Sequence, residues 1–209
     1  MTNFYQKKLI LLGSGGHASV LADILLSQGG DIVGIVSPTQ VAAKKGVFYG
    51  IPLLEKDDEV FQFDPSEVKL VNGIGQLPGS NIRKSVNEFF LDKGYCFESV
   101  ISEHALISKY ARLADGVQIL RGAIVQAGVT IGSHSIINTR TTVEHDSFIG
   151  EYCHVAPGVT LCGDINVGHD VFIGAGATLI QGVRVAERTT IGAGATIKRN
   201  CSTVGAVYK

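Results

Sequence analysis

From Ile101 onward, every sixth residue is Ile, Val or Leu: Ile101, Ile107, Leu113, Ile119, Val125, Ile131, Ile137, Val143, Ile149, Val155, Leu161, Val167, Ile173, Leu179, Val185, Ile191 and Ile197. No insertion or skip interrupts the series, and the next step lands on Thr203. Neither a helix period of 3.6 nor a two-residue alternation yields a strict six, so this is an internal repeat. Two residues before each aliphatic sits a small or β-branched residue, such as Ala123, Ser135, Thr141, Ser147, Cys153 and Thr189. Glycine crowds the positions one and three residues after it, for example Gly150 and Gly174, then Gly128 and Gly158. A short β-branched strand followed by a glycine-bearing turn, repeated every six residues, describes one face of a parallel β-helix. Three faces close a triangular coil of eighteen residues, so residues eighteen apart stack. The aliphatic column points inward, each side chain contributing roughly 1.5–3 kcal/mol by area.

The repeat fills about half of the 209 residues and leaves room ahead of it for a second domain. There, Lys7–Gly16 reads as a buried strand running into the turn GSGG. His17–Gln28 has helical spacing and closes at Gly29–Gly30. Asp31–Ser37 and Lys69–Gly75 read as further strands, and Thr39–Lys56 as a looser stretch containing GIPLL. Asp57–Phe63 suits one or two helical turns, and a helix over Asn81–Lys93 would place Ile82, Val86, Phe89 and Phe90 on one face. The order predicts a small Rossmann-like α/β domain over residues 1–98, followed by the β-helix over residues 99–209.

A net charge of −1 and a pI near 6.6 supply no field for nucleic acid or an anionic membrane. No apolar run suits a signal peptide or a membrane span, and four cysteines without metal spacing fit a reduced, cytoplasmic protein.

Gly13-Ser14-Gly15-Gly16-His17-Ala18 follows a strand and opens a helix, where backbone N–H groups cradle phosphates. It matches the GxGxxA form of the dinucleotide fingerprint. A nicotinamide cofactor would call for an acidic residue at the end of the second strand, where Val36, Ser37 and Pro38 stand. A turn that merely packs helix on strand explains the same glycines. Gly73 and Gly75 end the third strand at the edge where α/β sheets bind ligands.

His134, His145, His154 and His169 lie on the repeat outside the inward column, and each taken alone reads as a surface turn residue. His145 differs in company. Asp146 follows it, and Gly163 stacks on it in the next coil, leaving room where another turn would carry a side chain. An imidazole accepts protons at neutral pH and a neighbouring carboxylate raises an imidazole's basicity, which suits a general base for acyl transfer. His154, one face further round, would meet His145 of its own chain poorly but could meet that of a neighbouring subunit if the prisms pack side by side.

GSGGH in the first domain, NGIG followed by NIRK, and VEHDSFIGEYCHVAPGVTLCG in the repeat together carry a likeness. The chain resembles the hexapeptide-repeat sugar acetyltransferases, within them the bacillosamine N-acetyltransferase and sialic acid O-acetyltransferase group. The resemblance implies a left-handed β-helix, a homotrimer, and acetyl-CoA bound in clefts between subunits. It implies that His145 is the base, assisted by Asp146, a methylene shorter than the Glu of the bacillosamine enzyme. His154 and Gly163 would line the acetyl-CoA site, with Gly174, Ala175 and Ala193 along the pantetheine track. Gly15, Gly16 and His17 would hold the nucleotide diphosphate of an amino sugar, with Ser37 and Gly75 beside it. The implied reaction is metal-free N-acetylation of a UDP- or dTDP-4-amino-4,6-dideoxyhexose. O-acetylation of sialic acid or another sugar is the same-class alternative. A β-helix metalloenzyme of carbonic anhydrase type would need three converging histidines, whose columns here do not coincide. A non-catalytic trimerisation rod gives no reason for His145–Asp146 opposite Gly163.

Overall fold

The computed structural model describes residues 5–38 and 46–209. Part of the Thr39–Lys56 stretch therefore lies outside the described residues. The chain divides into two compact units, residues 1–76 with 80–100, and residues 77–79 with 101–209.

In the first unit, β1 (Lys8–Leu12), α1 (Gly16–Ser27), β2 (Ile32–Val36), β3 (Leu53–Leu54), β4 (Val68–Asn72) and α2 (Ile82–Leu91) follow in order, with 3₁₀ turns at Gly46–Phe48 and Asp57–Gln62. The sheet is wholly parallel with order β3-β2-β1-β4. The GIPLL segment thus supplies a fourth, edge strand. Strand order reverses beside β1, and this switch point sets the loop after β1 against the loop after β4. β1 is apolar almost throughout because it is central: Leu9, Ile10, Leu11 and Leu12 are all buried.

The expected apolar face of α2 is buried only in part. Phe90 is fully buried and Val86 packs against the core, but Ile82 is 64 % exposed and Phe89 is exposed as well, while Arg83 and Asn87 face inward. Backbone groups at the end of β4 draw the polar pair in. Arg83 Nη1 donates to the carbonyls of Asn72 (2.8 Å) and Ile74 (2.9 Å). The Asn72 amide donates to Arg83 O and Asn87 Oδ1, and Ile74 N–H donates to Asn72 Oδ1. These buried hydrogen bonds tie the start of α2 to the end of β4 and fix the path of residues 72–75.

The second unit is a left-handed parallel β-helix of two-residue strands in three sheets. The first face stacks Val100–Ile101, Gln118–Ile119, Ile136–Ile137, His154–Val155, Phe172–Ile173, Thr190–Ile191 and Val207–Tyr208. The second runs from Leu106–Ile107 through Thr142–Val143 and Thr160–Leu161 to Thr196–Ile197, and the third from Arg112–Leu113 to Arg184–Val185. Pairing is in register at eighteen residues, as in Thr142 on Thr160 and Ile136 on His154. Two columns line the interior. The aliphatics are joined by the residues two before them, so Ala123, Ser135, Thr141, Ser147, Cys153 and Ile165 are also buried. The buried hydroxyls turn to backbone carbonyls: Ser135 Oγ donates to Gly150 O at 2.7 Å and Thr141 Oγ1 to Ala156 O at 3.0 Å.

From Leu113 to Ile191, each turn contains one left-handed residue, three after the aliphatic. Glycine takes it at 116, 122, 128, 158, 176, 182 and 194, while His134, Arg140, Asp146, Tyr152, Asp164, Asp170 and Arg188 adopt φ of 54–60°. Such a conformation costs a non-glycine residue about 1–2 kcal/mol, and the intercoil hydrogen bonds of the turn hold it in place. After Ile197 the register slips. Cys201 pairs with Val185 two residues short of the repeat and takes the inward place. Val207–Tyr208 then returns to Thr190–Ile191, so the coil continues past the point where the hexad stops.

Candidate active site

The corner between the second and third faces carries His145 and Asp146. Both residues are anchored through their backbones to the adjoining coils. Asp146 N–H donates to Ala127 O (3.0 Å), and His145 O accepts from Asp164 N–H (2.9 Å). The side chains remain open, with 65 % of His145 and 70 % of Asp146 accessible in the single chain. His145 Nδ1 lies 2.9 Å from Asp146 Oδ2. An ionised carboxylate only accepts, so in the neutral imidazole Nδ1 carries the proton and Nε2 the lone pair.

That Nε2 lies over Gly163. A Cβ at position 163 would stand 2.5 Å from His145 Nε2 and 2.7 Å from Cε1. The room expected at Gly163 is therefore filled by the imidazole itself. Gly163 does not have a left-handed φ, so close approach, not backbone conformation, calls for glycine there. Asp146 makes the same use of Gly128 in the coil before, where a Cβ would strike its carboxylate. Base and carboxylate are each seated on a glycine, one above the turn and one below.

The other three histidines have different surroundings. His154 lies in a strand and His134 in a turn, and neither is at the surface: both are only 7 % exposed. His154 lies in a strand, its ring centroid 5.1 Å from that of Phe172 in the next coil and its Nε2 3.3 Å from the Asn138 amide nitrogen. His134 stacks on Tyr152 (5.0 Å, 26°) and covers Gly116. Outward-facing rings eighteen residues apart cover one another. His169 is exposed, and its Nδ1 accepts from Glu151 N–H at 3.1 Å. Among the described residues, no three His, Cys, Asp or Glu side chains are grouped to hold a metal ion.

Ala175 and Ala193 are exposed at the corner between the first and second faces, away from that of His145. Gly174 beside them is buried, and a Cβ there would meet Ala193 N at 2.5 Å, so its glycine serves coil-on-coil contact. His145, Asp146 and Gly163 thus lie on one corner, while His154, Gly174, Ala175 and Ala193 lie on or next to another.

In the first unit, Gly13 packs against Gly73 and Ile74, and a Cβ on Gly73 would strike Ala18. These two glycines have packing reasons. Gly15 and Gly16 have none: a Cβ on either meets nothing within 4 Å, and neither takes a left-handed φ. Gly15 caps α1 without a side-chain bond, and no acidic residue occupies the first turn. The helix N-terminus therefore presents N–H groups and positive dipole to an open space. Gly75 is exposed beside His17, and a Cβ added to it would lie 3.7 Å from that of His17. Ser37 is placed differently from expectation. It is 1 % exposed with Oγ 2.6 Å from Ser14 Oγ, so it supports the turn from beneath and offers no surface to a ligand.

The model of the PglD N-terminal domain matches residues 8–88, and that of the bacterial transferase hexapeptide (six repeats) matches residues 164–199. Among solved structures, a histidine-to-asparagine mutant of perosamine N-acetyltransferase from Caulobacter crescentus, in complex with CoA and GDP-perosamine, is 28 % identical. The match covers 97 % of this chain and 92 % of that one, with a TM-score of 0.84. The acetyltransferase domain of PglB from Neisseria gonorrhoeae is 27 % identical over 97 % of this chain and 96 % of its own, with a TM-score of 0.84. That domain has also been solved in complex with acetyl coenzyme A. WeeI from Acinetobacter baumannii, 17 % identical with a TM-score of 0.81 over 93 % of both chains, shares the fold.

Proposed function

The chain belongs to the hexapeptide-repeat sugar acetyltransferases, and from that premise we propose that it moves an acetyl group from acetyl-CoA to the amino group of a nucleotide-linked sugar. The carrying observation is the His145–Asp146 pair at 2.9 Å with Nε2 free of the carboxylate and set over Gly163. CoA and GDP-perosamine in the Caulobacter relative, and acetyl coenzyme A in the Neisseria domain, support the choice of co-substrate and acceptor class.

His145 Nε2 takes a proton from the acceptor amine as its nitrogen attacks the thioester carbonyl. A new C–N bond forms, the tetrahedral intermediate collapses with cleavage of C–S, and the imidazolium returns the proton to the departing thiolate. Asp146 holds the Nδ1–H tautomer and stabilises the imidazolium between these steps. The N–H groups opening α1 at Gly15, Gly16 and His17 bind the nucleotide diphosphate, with Gly75 beside them. The acting form is a homotrimer in which the His145 corner of one copy faces His154, Ala175 and Ala193 of the next. Division of these residues between two corners of one prism supports that arrangement.

The test is thiol release from acetyl-CoA with UDP-, dTDP- and GDP-linked amino sugars, with sialic acid as the hydroxyl acceptor. Turnover is expected with an amino sugar nucleotide and not with sialic acid. His145→Ala is expected to lower kcat at least about a hundredfold without a change in oligomeric state. Near-normal turnover in that variant removes His145 from the role.

A further inference from the structure

Arg83 puts a positive charge where neutral groups would hold the fold. It lies buried in the first turn of α2, and its Nη1 donates to two backbone carbonyls, those of Asn72 (2.8 Å) and Ile74 (2.9 Å). The ties around it are uncharged. The Asn72 amide donates to Arg83 O (3.0 Å) and to Asn87 Oδ1 (2.7 Å), and Ile74 N–H donates to Asn72 Oδ1 (2.9 Å). Burial of a cation is costly, and an amide such as that of Asn72 ties helix to strand without that cost. The guanidinium therefore calls for a reason beyond the path of the loop.

The two carbonyls belong to the peptides that carry the Gly73 and Gly75 N–H groups. Gly73 N–H is used within the domain, donating to Leu12 O at 2.8 Å. Gly75 N–H meets no acceptor among the described residues. A trans peptide sets its N–H and C=O on opposite sides. With Arg83 on the Ile74 carbonyl, the Gly75 N–H is therefore directed away from the buried network. Gly75 is exposed beside His17, and Gly13 packs on Gly73 and Ile74, so the loop after β4 is seated on the loop that opens α1. A hydrogen bond accepted by a carbonyl polarises the whole peptide and strengthens the N–H at its far side, and a charged donor in a poorly screened interior does so most.

Resting on the nucleotide-diphosphate reading above, we infer that Arg83 is a positioning residue for the diphosphate, acting through the Ile74–Gly75 peptide. It polarises that peptide so that Gly75 N–H donates to a phosphate oxygen, and its charge offsets part of the ligand's without touching it. The anion is then held from two loops, by the N–H groups that open α1 and by a single N–H backed by a buried cation.

The experiment titrates UDP, dTDP and GDP into wild type, Arg83→Lys and Arg83→Gln by calorimetry, with thermal unfolding of each protein. Glutamine keeps a donor and loses the charge, whereas lysine keeps both. For the diphosphate that wild type binds, the glutamine variant is expected to weaken Kd about tenfold and the lysine variant to regain most of that loss. Equal weakening in both overturns the inference, because a tie that only holds the loop does not distinguish charge. A glutamine variant with lowered Tm and the wild-type Kd overturns it too. If the glutamine variant does not fold, isotope labelling of glycine nitrogen in wild type decides. The Gly75 N–H resonance should move downfield on addition of the diphosphate, and an unmoved signal overturns the inference. Wild type that binds none of the three diphosphates strikes the nucleotide reading itself, and this inference with it.

Discussion

The His145 imidazole occupies the space above Gly163 into which any side chain at that position would project, its Nε2 2.5 Å from where the Cβ would be. Gly163→Ala therefore acts on the base and not on the fold. The backbone at 163 suits alanine, so the penalty falls on the ring, which must swing away from its seat. Displacement of a reacting group by about 1 Å is costly, and kcat is expected to fall about a hundredfold. Thermal unfolding should be nearly unchanged. Steady-state kinetics and calorimetry on the same preparation check both halves, and an intact kcat would show that the ring's seat is irrelevant.

Asp146→Asn separates charge from conformation. Asparagine tolerates the left-handed φ of 57° that Asp146 adopts, and the exposed ion pair contributes at most about 1 kcal/mol to stability. The amide cannot stabilise the imidazolium as the carboxylate does, so kcat should drop about tenfold or more. Denaturant midpoint and kcat are the readouts. A large stability loss with unchanged kcat would assign Asp146 to the turn alone.

At the α1 N-terminus, Gly16→Ala asks whether the open space belongs to a ligand. Alanine gains up to about 1 kcal/mol over glycine in a helix, and the new methyl meets nothing in the chain. Tm should hold or rise while KM for the sugar nucleotide increases about tenfold through a crowded diphosphate. If KM stays put, the turn does no more than join strand to helix.

The cysteines divide by burial. Loss of solvation inside the prism pushes the Cys153 thiol up to about 12 from an ordinary 9.0, and Cys201 is raised for the same reason. Because the thiolate is the reactive form, a disulfide reagent at about pH 8 should titrate exposed Cys96 and half-buried Cys162 in the native protein. Cys153 and Cys201 should react only after unfolding. The linkage has a definite sign. Above about pH 9 the unfolded chain loses the Cys153 proton that the folded chain retains, so stability falls as pH rises from there toward 12. A urea series across that range should show a declining midpoint. Flat behaviour would mean that Cys153 is hydrated.

The β-helix was legible because one column, Ile101 to Ile197, repeats without error, and the same register placed His145 against Gly163. What the pattern hides are contacts between outward residues. Burial of His154 beneath Phe172, and of His134 beneath Tyr152, follows from coil stacking of large rings, which apolar spacing does not report. Apolar spacing misleads in part in α2: Phe90 and Val86 meet the core, but backbone carbonyls at Asn72 and Ile74 attract Arg83 inward and leave Ile82 outside. The slip after Ile197 escapes for another reason: Cys201 takes the inward place two residues early, where a six-residue count finds only Thr203. Ser37 looked like a ligand contact from its place at a strand end, yet its bond to Ser14 turns it into a prop.

Each coil of the prism bonds only to the coil before and the coil after it, as the eighteen-residue register requires. Such a stack melts like a zipper, from its free ends inward, with protection against hydrogen exchange graded along its axis. Thr196–Ile197 is the last strand paired at the eighteen-residue step, and Val207–Tyr208 lies on Thr190–Ile191. His145 sits several coils inside. Outer coils can therefore loosen without disturbing the geometry of the base, an asymmetry built into a one-dimensional crystal of turns.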